Sequence, residues 1–376
     1  MSLLQDQQTI DQEQYFIVTL VEEIFAQAIQ AGASDIHFDP LPNRLRVRFR
    51  CDGILREVQS LPYSWQTPLL SRLKIMTESM DIAEKRLPQE GRFELKKEAF
   101  EVRVATMPTS YGESMTLRLL NPASFTQGFT ALGLDGPDLE IVQQLVQRPD
   151  GLILVTGPTG SGKTTTLYTC LQALAAQGAK VMTIEDPIEY RIPGVNQVQV
   201  HEAIGLTFSQ ALRSLLRQAT NKIMVGEIRD ATTLQSVLHA SLTGHLVFST
   251  LHTHDAPSSI IRLKNMGASA SSLATSLRAI IAQRLVRRCC EICKNTTFKK
   301  NNTCAHCHGT GFRGRIGIFE ILVLDESLCH YLHHATSLEE WPYLARQHCT
   351  KSLREDGIMK AAARLTTMEE VEKTVS

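Results

Sequence analysis

Apolar residues recur at Ile17, Leu20, Val21, Ile24, Phe25, Ala28 and Ile29, with Glu22, Glu23 and Gln27 between them. This spacing predicts an amphipathic helix over 16–31, ended by Ala31-Gly32-Ala33. The period then changes to two. After a strand start at Asp35-Ile36-His37-Phe38-Asp39, Leu45, Val47 and Phe49 alternate with Arg46, Arg48 and Arg50, as on a sheet with one core face. Asp52-Gly53 is a hairpin signal leading into Ile54-Leu55-Arg56-Glu57-Val58. A helix near 66–79 and strand-like runs at Phe93–Leu95, Ala99–Ala105 and Ser114–Leu120 complete an α+β domain over 15–120, preceded by a polar tail over 1–14. Pro122, Gly128, Gly133, Gly136 and Pro137 mark 121–137 as a linker.

Over 138–376 the pattern changes again. Helical segments alternate with short apolar strands at Leu152, Val181, Ile223 and Leu246, predicting an α/β domain with a parallel sheet. A further strand is expected at Ile316–Val323. A helical C-terminal region follows over 319–376, with helices at Leu338–Arg346 and Ile358–Leu365.

The short apolar, partly β-branched strand Leu152–Val155 runs into Gly157-Pro158-Thr159-Gly160-Ser161-Gly162-Lys163-Thr164-Thr165, and a helix-like segment follows. Strand, glycine-rich loop, Lys and Thr in this order form a phosphate loop. Its glycines let successive N–H groups face one phosphate, and the helix N-terminus adds its dipole. Lys163 is expected to reach the β and γ phosphates, and Thr164 to complete a Mg²⁺ shell. A bare glycine turn explains less of this register. The strand Val181–Ile184 delivers Glu185-Asp186-Pro187-Ile188-Glu189, and Ile223–Gly226 delivers Glu227. Acids at such strand ends hold Mg²⁺ or polarise water, although the first group also reads as an acidic turn. His245 and His252 flank the next strand. They are read as γ-phosphate sensors at one sheet edge, against the ordinary structural role of a histidine beside an apolar run.

Charge narrows the partners. Lys+Arg and Asp+Glu are each 39, so the net charge is zero, which disfavours nucleic acid as the main ligand. The 43% hydrophobic content is that of a globular protein, with no apolar run of membrane-spanning length and no signal-peptide pattern, so a cytoplasmic location is expected. Five of the nine cysteines fall within 289–307. Cys290, Cys293, Cys304 and Cys307 form two Cys-x-x-Cys pairs, a structural Zn²⁺ pattern in a module over 286–318. Metal-free thiols are the alternative, and a zinc knuckle also leaves open a nucleic-acid-linked translocase. Arg92, Arg103 and Arg118 are candidate arginine fingers, although most surface arginines are merely solvated.

Taken together, these blocks resemble the ATPases of type II secretion and type IV pilus assembly, including the competence pseudopilus branch. The resemblance rests on Gly32–His37, Arg86–Gln89 with Gly91-Arg92, the phosphate loop, Glu185–Glu189, Val225–Asp230, Thr243–His252, the cysteine pairs, Gly309–Gly311 with Gly314-Arg315, and Leu353–Gly357. It implies a PAS-like N-terminal domain and a RecA-like ATPase domain, assembled as a homohexamer. ATP would sit between the domains, with Glu185 as general base, Glu227 near Mg²⁺, and His245, His252, Arg92, Arg103 and Arg118 toward the γ-phosphate. The implied partner is an inner-membrane platform protein, at the cytoplasmic face of that membrane. Four departures stand out: the further N-terminal domain of larger members precedes none of these blocks, Glu90 replaces an Asp, Ala219-Thr220-Asn221 replaces Asp-Pro-Asp, and His254 replaces an Asn. The related retraction ATPases typically lack the cysteine pairs, so the cluster favours the assembly branch.

Overall fold

The computed structural model describes residues 2–96, 100–120, 128–292, 304, 306–307, 309–334 and 339–375, with side chains from residue 15 onward. The chain divides into two compact units, Met1–Ser124 and Phe125–Ser376.

The first unit opens with helix α1 (Ser2–Gln30). Residues 2–14, expected from their polarity to be a tail, are thus helical, and they contain no Pro or Gly to break the turn. Strands β1 (Ala33–Leu41), β2 (Arg44–Cys51) and β3 (Ile54–Pro62), helix α2 (Gln66–Thr77), and strands β4 (Gln89–Leu95), β5 (Phe100–Thr109) and β6 (Gly112–Leu120) follow. The strands form one antiparallel sheet in the order β3-β2-β1-β6-β5-β4. Asp52 (φ 51°) and Gly53 (φ 83°) make the β2–β3 turn in the left-handed conformation that a two-residue hairpin requires. As the alternation predicts, Leu45, Val47 and Phe49 are buried, beneath α1 residues Leu20, Ile24 and Phe25 and α2 residues Leu69 and Leu73.

The second unit begins with α3 (Gly128–Leu132) and α4 (Gly136–Val146), which occupy the C-terminal part of the expected linker. Its glycines are turn residues here: Gly133 (φ 97°) and Gly136 (φ 46°) break the chain between two helices. Residues 121–127 lie outside the described residues. Then come β7 (Gly151–Thr156), α5 (Lys163–Ala176), β8 (Val181–Glu185), β9 (Val195–Gln199), α6 (Phe208–Leu215), β10 (Lys222–Val225), α7 (Ala231–Leu242), β11 (Leu246–Leu251), α8 (Ala256–Asn265) and α9 (Ala270–Ser276). Two long strands, β12 (Leu277–Cys289) and β13 (Phe312–Val323), precede α10 (Glu326–His334), α11 (Trp341–Gln347), α12 (Leu353–Ala362) and α13 (Met368–Val375).

The sheet order is β13-β12-β7-β11-β10-β8-β9, parallel except for the β12–β13 edge pair. Two apolar clusters cover its faces, as burial on both sides of a parallel sheet requires. That double burial hid β12 from the sequence. Ala279 to Ala282 is apolar without alternation, and a short uniform run does not declare its period. The C-terminal helices pack on the β12–β13 side of the sheet, anchored by Trp341, which is fully buried and donates its indole N–H to the Pro257 carbonyl at 2.9 Å.

Candidate nucleotide site

Because β7, β8, β10 and β11 are parallel, their C-terminal ends share one edge, where open α/β sheets bind ligands. The loop after β7 is built around glycines. Gly160 (φ 80°) and Gly162 (φ 86°) are left-handed, and Gly162 stands immediately before α5. A Cβ on Gly157 would lie 2.4 Å from the Gln283 carbonyl oxygen, and one on Gly162 2.8 Å from the Gln283 Nε2. At Gly157 and Gly162 the loop therefore presses against β12 with no room for a side chain. Pro158, Thr159 and Gly160 are exposed, Thr164 and Thr165 are half-buried, and the Ser161 hydroxyl is buried with no hydrogen-bond partner. An orphaned hydroxyl inside a glycine cradle is what a phosphate oxygen would satisfy. The residues fit a triphosphate.

Lys163 is buried, and its ammonium donates to the Gly157 carbonyl at 2.8 Å and the Pro158 carbonyl at 3.0 Å. Burial lowers its pKa, Glu227 opposes that shift, and Arg284 adds to it. Glu227 follows β10 through Gly226, whose N–H bonds the Ile184 carbonyl at 2.8 Å. Its carboxylate pairs with Arg229 and lies 3.5 Å from the His252 Nε2. Arg229 also reaches Asp186 at 3.6 Å. Lys163, Glu227, His252, Arg229 and Asp186 therefore meet at one edge.

Two expected residues do not. His245 stands at the N-terminal end of β11, bonded to the Ala240 carbonyl at 3.2 Å, while His252 follows the C-terminal end. The length of β11 separates them by roughly 20 Å, so they share no edge. Glu185 is 3% exposed at the end of β8. Its carboxylate accepts hydrogen bonds from Thr183 (2.5 Å), the Gln197 amide (3.0 Å) and the Tyr168 hydroxyl. Burial raises its pKa against these bonds. A carboxylate so enclosed organises the interior beside α5 and β9, and these hydrogen bonds lie in that interior and not on the phosphate loop. Its strand-end position invited the opposite expectation, because sequence shows where a residue stands and not which face it takes.

Sequence reasoning missed the groups that tie the loop down. Thr156 and Thr253 share a 2.6 Å hydroxyl bond, and Thr253 continues to Ser259 at 2.7 Å, fastening the end of β7 to the segment after β11. Thr166 donates to the Gln283 side chain at 2.7 Å. None of these residues carries a motif on its own.

In the first unit, strand register sets Arg92 opposite Arg103, Arg103 opposite Arg118, and Arg118 opposite Asp35. The three arginines therefore form one cross-strand row. Asp35 anchors its end, pairing with Arg118 at 3.1 Å and with Arg50 at 3.4 Å. Lys74, ion-paired with Glu113 at 2.8 Å, and the Gln89 amide both donate to the Asp81 and Glu84 carbonyls, Gln89 at 3.0 and 2.8 Å, and so fix the segment that leads into β4.

Cys290, Cys304 and Cys307 bring their sulfurs within 4.8 Å of one another. Tetrahedral thiolates about 2.3 Å from Zn²⁺ would stand about 3.8 Å apart, so the three fit such a centre. Cys293, the fourth expected ligand, lies outside the described residues. His306 Nδ1 is 3.3 Å from the Cys290 sulfur, and the Gly311 N–H points at Cys307 from 3.3 Å, the outer contacts that thiolate ligands use.

Fold and site together define a P-loop ATPase with a RecA-like sheet. The family model for type II/IV secretion system proteins matches residues 11–373. Type II secretion system protein E of Klebsiella pneumoniae is 44% identical over 376 residues, covering 94% of this chain and 75% of that protein. The type IV pilus assembly ATPase PilB of Myxococcus xanthus is 42% identical over 380 residues, covering 94% and 67%. Among solved structures, the pilus retraction motor PilT with bound ADP superposes with a TM-score of 0.68 at 27% identity, covering 93% of this chain and 95% of that one. The chain belongs to the type II/IV secretion system protein family. No helix among the described residues is long and apolar enough to cross a membrane.

Proposed function

We propose that this chain is the ATP-hydrolysing motor that drives pilus or pseudopilus assembly in a type IV pilus or type II secretion system. It works as a homohexamer on an inner-membrane platform protein at the cytoplasmic face. The observation that carries this reading is the meeting of Lys163, Glu227 and His252 beside a sterically closed glycine loop. Residues 157–165 hold the triphosphate, with Lys163 on its terminal phosphates. Thr164 and Glu227 would hold Mg²⁺, which supplies charge neutralisation when bound. Glu227 and Asp186 orient water at the same edge, and His252 responds to the γ-phosphate. The first unit is PAS-like, and its Arg92–Arg103–Arg118 row supplies charge to the transition state. The three converging thiols, with Cys293, hold a structural Zn²⁺. The assembly reading is supported by the 42–44% identity to secretion and pilus-assembly relatives over 94% of this chain.

Hydrolysis by the purified chain with MgATP and the platform protein tests the proposal. Turnover absent from the Lys163→Ala variant is expected, together with loss of secretion or piliation in cells carrying that variant. Equal phosphate release by both proteins would overturn it.

A further inference from the structure

Arg284 belongs to none of the motifs above, yet it lies against the first glycine of the phosphate loop. A Cβ on Gly157 would stand 3.1 Å from its Nη1. The residue is 7% exposed. Its guanidinium donates to the Gln283 carbonyl at 3.0 Å and to the His254 carbonyl at 2.6 Å. No described carboxylate lies within ion-pair distance. Glu320 and Asp255 act on it only from farther away, and both are engaged: Glu320 accepts the Ala256 N–H at 2.8 Å, and Asp255 caps α8 through the Ser258 N–H, also at 2.8 Å.

A buried guanidinium satisfied only by carbonyls is an expensive group to retain. The neighbouring cation, Lys163, is likewise held by carbonyls alone. The acid that acts on Lys163, Glu227, is already paired with Arg229 and faces His252. Two buried cations thus stand beside one loop, and neither has a described carboxylate in ion-pair contact. A polyanion would supply the missing charge, and Arg has the fork that suits phosphate oxygens. The second contact gives the charge a mechanical outlet. The His254 carbonyl that Arg284 holds lies two residues beyond His252, on the segment that Thr253 fastens to Thr156.

We propose that Arg284 is a positioning residue of the nucleotide site, a second buried cation whose counter-charge is the polyphosphate and which registers that charge on the segment carrying His252. The proposal rests on residues 157–165 holding a triphosphate. The test uses the full chain with Arg284→Lys and Arg284→Gln, measuring ATP and AMP affinity, kcat and KM, and thermal melting without nucleotide. Arg284→Gln should weaken ATP binding by about 10- to 100-fold, the worth of a charged hydrogen bond, and AMP binding by far less. Arg284→Lys should restore most of the ATP affinity, because the charge returns, but not kcat, because one ammonium cannot bridge both sites.

Equal loss of ATP and AMP affinity, tracking a lower melting temperature and not rescued by Lys, would make Arg284 a scaffold residue and overturn the proposal. Unchanged ATP affinity in Arg284→Gln would overturn it as well, provided Lys163→Ala still abolishes binding. If Lys163→Ala also binds ATP normally, the phosphate-loop reading itself fails.

Discussion

At the scale of single residues, the two strand-end glutamates show how one motif type serves two purposes. Glu227 is about one-fifth exposed and faces Arg229 and His252, whereas Glu185 is enclosed by three donors. Substitution should separate them. Glu185→Ala leaves the Tyr168 and Thr183 hydroxyls and the Gln197 amide without their acceptor, costing about 3 kcal/mol or more. That loss would appear in denaturant midpoints. Glu227→Gln should cost less, at most about 1 kcal/mol, because its partner Arg229 is itself largely exposed, and it should hydrolyse no ATP. A Glu185→Ala protein as stable as the parent would show that the enclosure carries no weight. Both glutamates are visible as acids after apolar strands. Their different surroundings come from Tyr168 and Gln197, which are distant in sequence and carry no signature.

The elements show how the loop and the C-terminal region are held. Gly157 packs against β12, so Gly157→Ala should displace the loop and weaken ATP binding by at least about 10-fold in a fluorescence titration, while helix content stays unchanged. Farther along β12, Arg287 donates to both oxygens of Glu370 on α13, one at 2.7 Å, and holds that carboxyl below its ordinary value of 4.5. A depressed carboxylate contributes stability that is complete above the unfolded value and is lost as pH falls through the folded one. The docking of α13 should therefore weaken on acidification below about pH 4.5, and Glu370→Gln should flatten that part of the melting-temperature profile. The cysteine cluster closes the same β12–β13 ribbon. Metal analysis should find stoichiometric zinc in the parent and a loss in Cys304→Ser, with the ribbon end more open to protease.

For the whole molecule, the row Arg92–Arg103–Arg118 and the nucleotide loop lie in different units, and the proposed function predicts that hydrolysis needs both. Arg103→Ala should cut kcat by at least about 100-fold with ATP affinity within a few fold of the parent, whereas Lys163→Ala should lose both. Single-turnover and binding measurements on the full chain distinguish these outcomes. Equal loss of binding in the two variants would place Arg103 in a structural role. The row depends on antiparallel register: one residue of slip on β5 would turn Arg103 to the opposite face of the sheet.

Much of this organisation was legible in the chain. The alternation over 44–50 gave β2 its buried face, Asp52-Gly53 gave its turn, and the glycine-rich segment after Leu152–Val155 gave a phosphate loop. Local periods and backbone demands of this kind are properties of neighbouring residues, so sequence carries them. The partners of those residues were not legible. His245 and His252 flank β11 in the sequence itself, so their standing at opposite ends of it was legible. That Glu185 turns inward, and that Gln283 and Arg284 close on Gly157, follow from the packing of segments far apart in the chain. Side-chain contact across such distances depends on register and on which face packs, and no local pattern encodes either. The loop was readable because its function is held in its own backbone. The site around it was not, because it exists only once β7, β10, β11 and β12 lie side by side.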